Sequence, residues 1–306
     1  VLTSAGAGAA AAWETVAGGI TGIVEGTEFT NSILVGHTTT GTLNSATGNT
    51  ALGIDAFDAI TSGDNNVAVG TGSMGAATTS HSSVAIGSGA AATASTAFNS
   101  NVAVGYQASY TSNATNGVAV GAYAGKYNVD TSNVFVGYKS GFGIIAGSGG
   151  QSNTAVGTDS LEIYEGGNGN TAVGRSAGSI LTGGHYNIFL GYQAGDNITT
   201  GDGNVVIGKA DVSSATGDDQ LSISDGLDGS VVWMTGDSSA NVTFAAEVAA
   251  ATLDISGAID IDGTANLDTV DIDGAVQIDA TVTVGVDDTG LDVKFFGASA
   301  GAYMEW

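Results

Sequence analysis

Short apolar triplets recur along this chain, each closed by a glycine and followed by about a dozen small or polar residues. NVAVG at 101–105 is followed by NVFVG at 133–137, NTAVG at 170–174 and NIFLG at 187–191. Aligned on the glycine, eleven copies stand at Gly36, Gly53, Gly70, Gly87, Gly105, Gly121, Gly137, Gly157, Gly174, Gly191 and Gly208. Their spacings are 17, 17, 17, 18, 16, 16, 20, 17, 17 and 17 residues. Self-similarity of this kind marks a repeat architecture and outranks any reading of single segments.

The aligned columns have physical content. The residue before the glycine is always aliphatic, and the residue two earlier is always β-branched. Positions two apart share one face of a strand, so these columns predict a continuous buried stripe, with Val136 among its members. Between them stands Ala in seven copies, and otherwise Leu34, Phe135, Phe189 or Val206. This small column is expected to face away from the stripe and to allow close packing on the opposite side. Four residues before the glycine, Asn recurs as Asn49, Asn66, Asn101, Asn133, Asn153, Asn170, Asn187 and Asn204. Asn tolerates left-handed backbone, bonds its own turn, and stacks into side-chain ladders. Three residues after the glycine the side chain stays small until Asp211.

A period of 17 is too short for a helix–turn–helix unit and too regular for a sandwich. It fits one turn of a parallel β-solenoid or β-roll of about eleven rungs, a section of roughly 50 Å at the usual strand spacing. The absence of proline agrees, since every rung must donate hydrogen bonds to its neighbours. One rung offers few apolar side chains, so three chains around a shared axis are expected to supply the remaining burial. The predicted organisation is a Gly/Ala-rich lead-in over 1–31, the repeat array over 32–210, and an acidic β-rich trimeric fibre segment over 211–306.

Charge sharpens this division. The chain has 306 residues, 30 acids, five bases and a net charge of −25. Residues 1–210 hold 12 acids and 4 bases, while 211–306 hold 18 acids and a single base. That balance argues against nucleic acid as a partner and against anionic membrane surfaces. No apolar run reaches the ~18 residues of a membrane span. With no cysteine there is neither a disulfide framework nor a thiolate metal site. Val1-Leu2-Thr3 lacks the charged start of a secretory leader. With no initiator Met, the sequence is expected to be part of a longer or processed chain, with Trp306 not its natural end.

The repeat text resembles known fibres. SVAIGSGAAATAS at 83–95 resembles the head repeats of YadA-type trimeric autotransporter adhesins, whose heads are three-chain, left-handed parallel β-rolls. The NNVAVG and GNTAVG units are similar to the repeat regions of bacteriophage tail fibres, over about 32–210. VLTSAGAGAAAAWETVAGG (1–19), VTVGVDDTG (282–290) and VKFFGASAGAYM (293–304) resemble segments of marine phage structural proteins. The resemblance implies a homotrimeric tail fibre or virion appendage, located on a virion or outside the cell. Its implied partners are other virion or fibre proteins and a host-surface glycan or protein. The alternative is a bacterial cell-surface trimeric adhesin or a self-assembling extracellular filament.

Candidate chemistry is sparse. Asp260-Ile-Asp262-Gly263 and Asp271-Ile-Asp273-Gly274 resemble the opening of an EF-hand loop but lack its later ligands, so Asp-Gly turns are the plainer reading. Weak, shared divalent-cation binding by the acidic C-terminal segment is the functional one, and no other cofactor is expected. GGNGNTAV at 166–173 partly matches a calcium-binding nonapeptide, with Asn170 in the aspartate place. His37, His81 and His185 are expected in surface loops at unrelated rung positions. No nucleophile elbow, P-loop or zinc-helix motif occurs, and Asp287-Asp288 is an isolated acidic pair, so no catalysis is expected. Tyr106, Tyr138 and Tyr192 all follow a motif glycine. They suit packing between rungs or chains, or an exposed aromatic stripe for sugars.

Overall fold

The computed structural model describes residues 2–3, 12–13, 22–26, 29–36, 41–94, 98–111, 115–144, 149–248, 255, 259, 261, 272 and 276–281. Among them there is no helix, and one 16-stranded sheet dominates. Parallel strands run in sequence order from Phe29–Val35 to Leu221–Ser224, each paired with the next apart from the short Ala46–Thr47, which pairs with Phe29–Val35 alone. The register is one for one: Thr50 faces Val67, Val67 faces Val84, and Val84 faces Val102. Each repeat is therefore one turn of a parallel β-solenoid. The parallel pairing continues past 210 to Leu221–Ser224, where Gln220 takes the asparagine place and Ser224 the glycine place.

Backbone conformation explains the glycine column. Gly53, Gly105 and Gly137 all have φ of +138°, outside the range of ordinary side chains. Each also lies flat on the next rung, and a Cβ on Gly53 would stand 2.7 Å from the carbonyl carbon of Gly70. Three further positions per rung repeat a left-handed backbone. One is the residue just before the asparagine column, as in Asn65, Ser82, Ser100 and Ser152, rather than the asparagine itself. The others lie two and four residues after the glycine, as in Asp159 and Leu161. These bends fold a 17-residue segment back over its own start.

The two faces of the strands are the reverse of the sequence expectation. The column of small residues is the interior one, with Ala51, Ala68, Ala85, Ala103, Ala155, Ala172 and Phe189 all buried. The flanking aliphatic columns point outward. Leu52 is 53% exposed, Leu190 48% and Ile188 45%. The physical reason is the narrow rung. Its interior also receives the small residue three after the glycine and the residue four after it, such as Phe57, Met74 or Leu161. Only one short side chain from a three-residue strand has room to enter. Alternation fixed which columns share a face; greater hydrophobicity did not decide which face is inside.

Interior volumes compensate one another. Where the strand supplies Ala155, the later position supplies Leu161, and where it supplies Phe189, that position is Gly195. Gly178 of the preceding rung leaves space as well, since a Cβ there would stand 2.6 Å from the Phe189 ring. Both ends of the parallel run meet antiparallel strands. Gly22–Gly26 pairs with Phe29–Val35, and Val232–Gly236 pairs with Leu221–Ser224 and then with Val242–Phe244. These antiparallel strands end the parallel run and are the outermost strands of the sheet. Near the amino terminus Leu2–Thr3 pairs with Ala12–Trp13. Residues 250–306 form a separate unit, in which none of the described residues lies in a strand.

Candidate interaction surfaces

Two side-chain ladders follow the stack, one inside and one outside. Inside, Asn170 Nδ2 donates to Asn153 Oδ1 at 3.0 Å, Asn187 to Asn170 at 3.0 Å, and Asn204 to Asn187 at 3.0 Å. Each Oδ1 also accepts the backbone N–H of the next asparagine, as Asn170 Oδ1 does from Asn187 at 2.9 Å. The second amide hydrogen goes to a loop carbonyl of the following rung, Gly184 for Asn170 at 2.8 Å. Asn49 and Asn66 begin the ladder, Asn133 and Asn153 continue it, and Gln220 ends it on Asn204 at 3.1 Å. Asn101 Oδ1 instead accepts from the Gly117 backbone at 2.6 Å. Asn170 is therefore fully engaged in the ladder, which leaves its oxygen no role in the nonapeptide match.

The outer ladder lies six residues before the glycine, and it gathers the histidines. His81 Nδ1 accepts from the Asp64 backbone at 3.1 Å, and His185 Nδ1 from the Asn168 backbone at 3.0 Å. His81 and His185 thus hold equivalent positions, and acceptance at Nδ1 places the ring hydrogen on Nε2. Asp202 accepts from the His185 backbone at 2.7 Å, and Asp218 from the Asp202 backbone at 2.8 Å. The signal was a column of acceptor-bearing side chains, Asp64, His81, Asn99, Asn168, His185, Asp202 and Asp218, whose types differ too much to stand out as a motif. His37 lies outside the described residues.

The outward columns, aliphatic apart from Thr50, Thr154 and Thr171, form a largely apolar face along the strands. Soluble single chains rarely expose apolar patches beyond a few hundred Å². At the carboxyl-terminal hairpin Trp233 and Phe244 are exposed as well.

A second surface lies on the turn that follows the glycine. Tyr106 meets Tyr123 edge-on with ring centroids 5.2 Å apart, and Tyr123 meets Tyr138 at 5.9 Å. Tyr192 is on the same turn higher in the stack, with the Arg175 guanidinium 5.6 Å and the Lys209 ammonium 5.2 Å from its ring centroid. Lys126 and Lys139 also lie over rings, so every base of the repeat array does. Cations over aromatic faces gain from the ring quadrupole. Lys139 in addition pairs with Glu162 at 2.8 Å, and that hydrogen bond raises its pKa.

Two carboxyl groups among the described residues are shifted strongly in opposite directions. The Asp196 carboxyl is pushed up to about 6, first by burial and then by its hydrogen bond with Asp211. Asp225 is held down at about 2 by backbone N–H groups, those of Val231 and Asp228 foremost, in the loop that reverses the chain into the hairpin. A cleft of about 220 Å³ lies beside the paired strands Leu221–Ser224 and Val232–Gly236, bordered by Asp211, Gln220, Asp237 and Asn241. Among the described residues no three acidic, histidine or cysteine side chains gather to hold a metal ion, and no helix is long and apolar enough to cross a membrane. The Asp-Ile-Asp-Gly segments lie outside the described residues except for Ile261 and Ile272, and Asp287-Asp288 lies outside them entirely. No protein-family model, curated protein or solved structure matches the chain.

Proposed function

We propose that the chain is a shaft segment of a homotrimeric fibre, a phage tail fibre or similar virion appendage that mediates attachment to a host surface. The observation that carries this reading is the outward apolar face. A stiff stack of hydrogen-bonded rungs presents two outward columns along its length, aliphatic apart from Thr50, Thr154 and Thr171. Burying such a face against copies of itself removes the exposure, at roughly 25 cal/mol per Å² of apolar surface. Three copies rather than two follows from the resemblance of the SVAIG repeats. Function is then mechanical: the shaft sets reach and stiffness, and its turns offer contacts to the host surface.

Sedimentation of the purified chain tests this reading, with the three-chain mass expected at micromolar concentration. Leu190→Asp, on the outer face, should leave the fold intact and dissociate the assembly, because a carboxylate is tolerated in water but not in an apolar interface. Ala172→Asp should unfold the rung itself. A wild-type protein that sediments as a folded single chain would overturn the proposal.

A further inference from the structure

The rungs between Gly105 and Phe142 hold a concentration of side chains that rung stacking alone does not require. Five of the nine tyrosines, Tyr106, Tyr110, Tyr123, Tyr127 and Tyr138, fall here. The charge balance is also local: between 65 and 158 the single acid Asp130 stands against Lys126 and Lys139, in a chain of net charge −25. Lys139 is neutralised by Glu162. Lys126 pairs with no carboxylate among the described residues, and its ammonium sits among four rings. It is 4.9 Å from the centroid of Tyr127, 5.0 Å from Tyr123, and 5.7 Å from Tyr110 and from Phe142. Tyr123 takes this place at a φ of +62°, on the left-handed position that the rungs repeat two residues after the glycine.

We propose that this patch binds an acidic polysaccharide of the uronate type. The proposal rests on the reading of the chain as an attachment fibre and names what it attaches to. The rings hold Lys126 by its charge while leaving ammonium hydrogens to donate to a carboxylate. Tyr106 and Tyr138, 48% and 46% exposed, both pack edge-on against Tyr123, whose ring in turn lies beside the ammonium. They are two rungs apart, roughly 10 Å, which suits successive sugars of an extended glycan. The electron-rich ring face attracts the polarised C–H groups of a sugar. A neutral glycan has no use for the cation. A heavily sulfated one would bring several charges per sugar against one free ammonium on an acidic protein. Single-stranded nucleic acid needs a track of cations beside its stacking rings.

Calorimetric titration of the assembled protein with short galacturonate oligomers tests the proposal, with dextran, heparin fragments and single-stranded DNA as comparisons. Galacturonate is expected to bind and dextran not to. Lys126→Gln should weaken binding about tenfold or more, as should the paired change of the exposed rings, Tyr106→Ala with Tyr138→Ala, while Lys209→Gln should not. Melting curves check that each variant keeps its fold. The two-ring variant remains informative should Lys126→Gln unfold. Equal binding of dextran overturns the proposal. So does tighter binding of heparin or DNA, or galacturonate affinity that survives both patch variants. The sedimented mass of the same sample separates the two claims: trimers blind to galacturonate sink this inference alone, whereas single chains that bind it sink only the fibre reading.

Discussion

Asparagine 170 shows how much one repeated residue can carry. Its Oδ1 accepts both the backbone N–H and the side-chain amide of Asn187, and its own amide serves Asn153 and Gly184. All of this is buried, where a polar group left without a partner costs about 1–3 kcal/mol. Asn170→Ala removes the acceptor for two donors of Asn187 at once. The expected loss is about 2–4 kcal/mol in denaturant unfolding, far beyond that of a surface asparagine such as Asn241. A loss under about 0.5 kcal/mol, the level of an ordinary surface change, would mean that water replaces the ladder.

Within a rung the determining quantity is interior volume, shared between the strand and the turn. The Ala155 and Leu161 rung and the Phe189 and Gly195 rung are two solutions to one filling problem. Phe189→Ala should cost about 3–5 kcal/mol through the cavity it leaves. Adding Gly195→Leu, which copies the arrangement at Leu161, should recover part of that loss, because Leu161 holds the same left-handed turn position at a φ of +47°. If the double variant melts no higher than Phe189→Ala, the two positions do not share one space.

This compensation also explains what could be read from the sequence. Period, strand positions and glycine column were legible because backbone stacking imposes them on every rung. The inside face was not, because the strand gives one residue to the interior and two to the exterior, the opposite of an ordinary half-buried strand. The final rung hid behind Gln220 and Ser224, which replace the two signature residues yet keep the hydrogen bond and the close approach. Of the surfaces, the Tyr106 and Tyr138 pair could be seen from its spacing, but the ring cage around Lys126 joins residues from different rungs and needed coordinates.

For the whole molecule, the constraint on stacking is charge. The same one-for-one register that aligns apolar columns also aligns like charges, and the acids crowd toward the carboxyl end. Asp202 and Asp218 occupy the outer ladder on successive rungs, about 4.8 Å apart along the stack, and Asp219 adjoins them. Their carboxylates are kept there by the backbone N–H groups they accept, so the ladder gains hydrogen bonds and loses part of that gain to repulsion. Salt separates the two effects. Between about 0.01 M and about 1 M salt the screening length falls from ~30 Å to ~3 Å, which weakens repulsion while leaving short hydrogen bonds in place. The melting temperature is therefore expected to rise with NaCl. Asp218→Asn gives the sharper test, because Asn99 and Asn168 already fill this column and accept the same kind of bond. The variant should melt higher than the parent in low salt and match it in high salt. A variant that melts lower in both conditions would show that the charged acceptor strengthens the ladder more than its neighbours repel it.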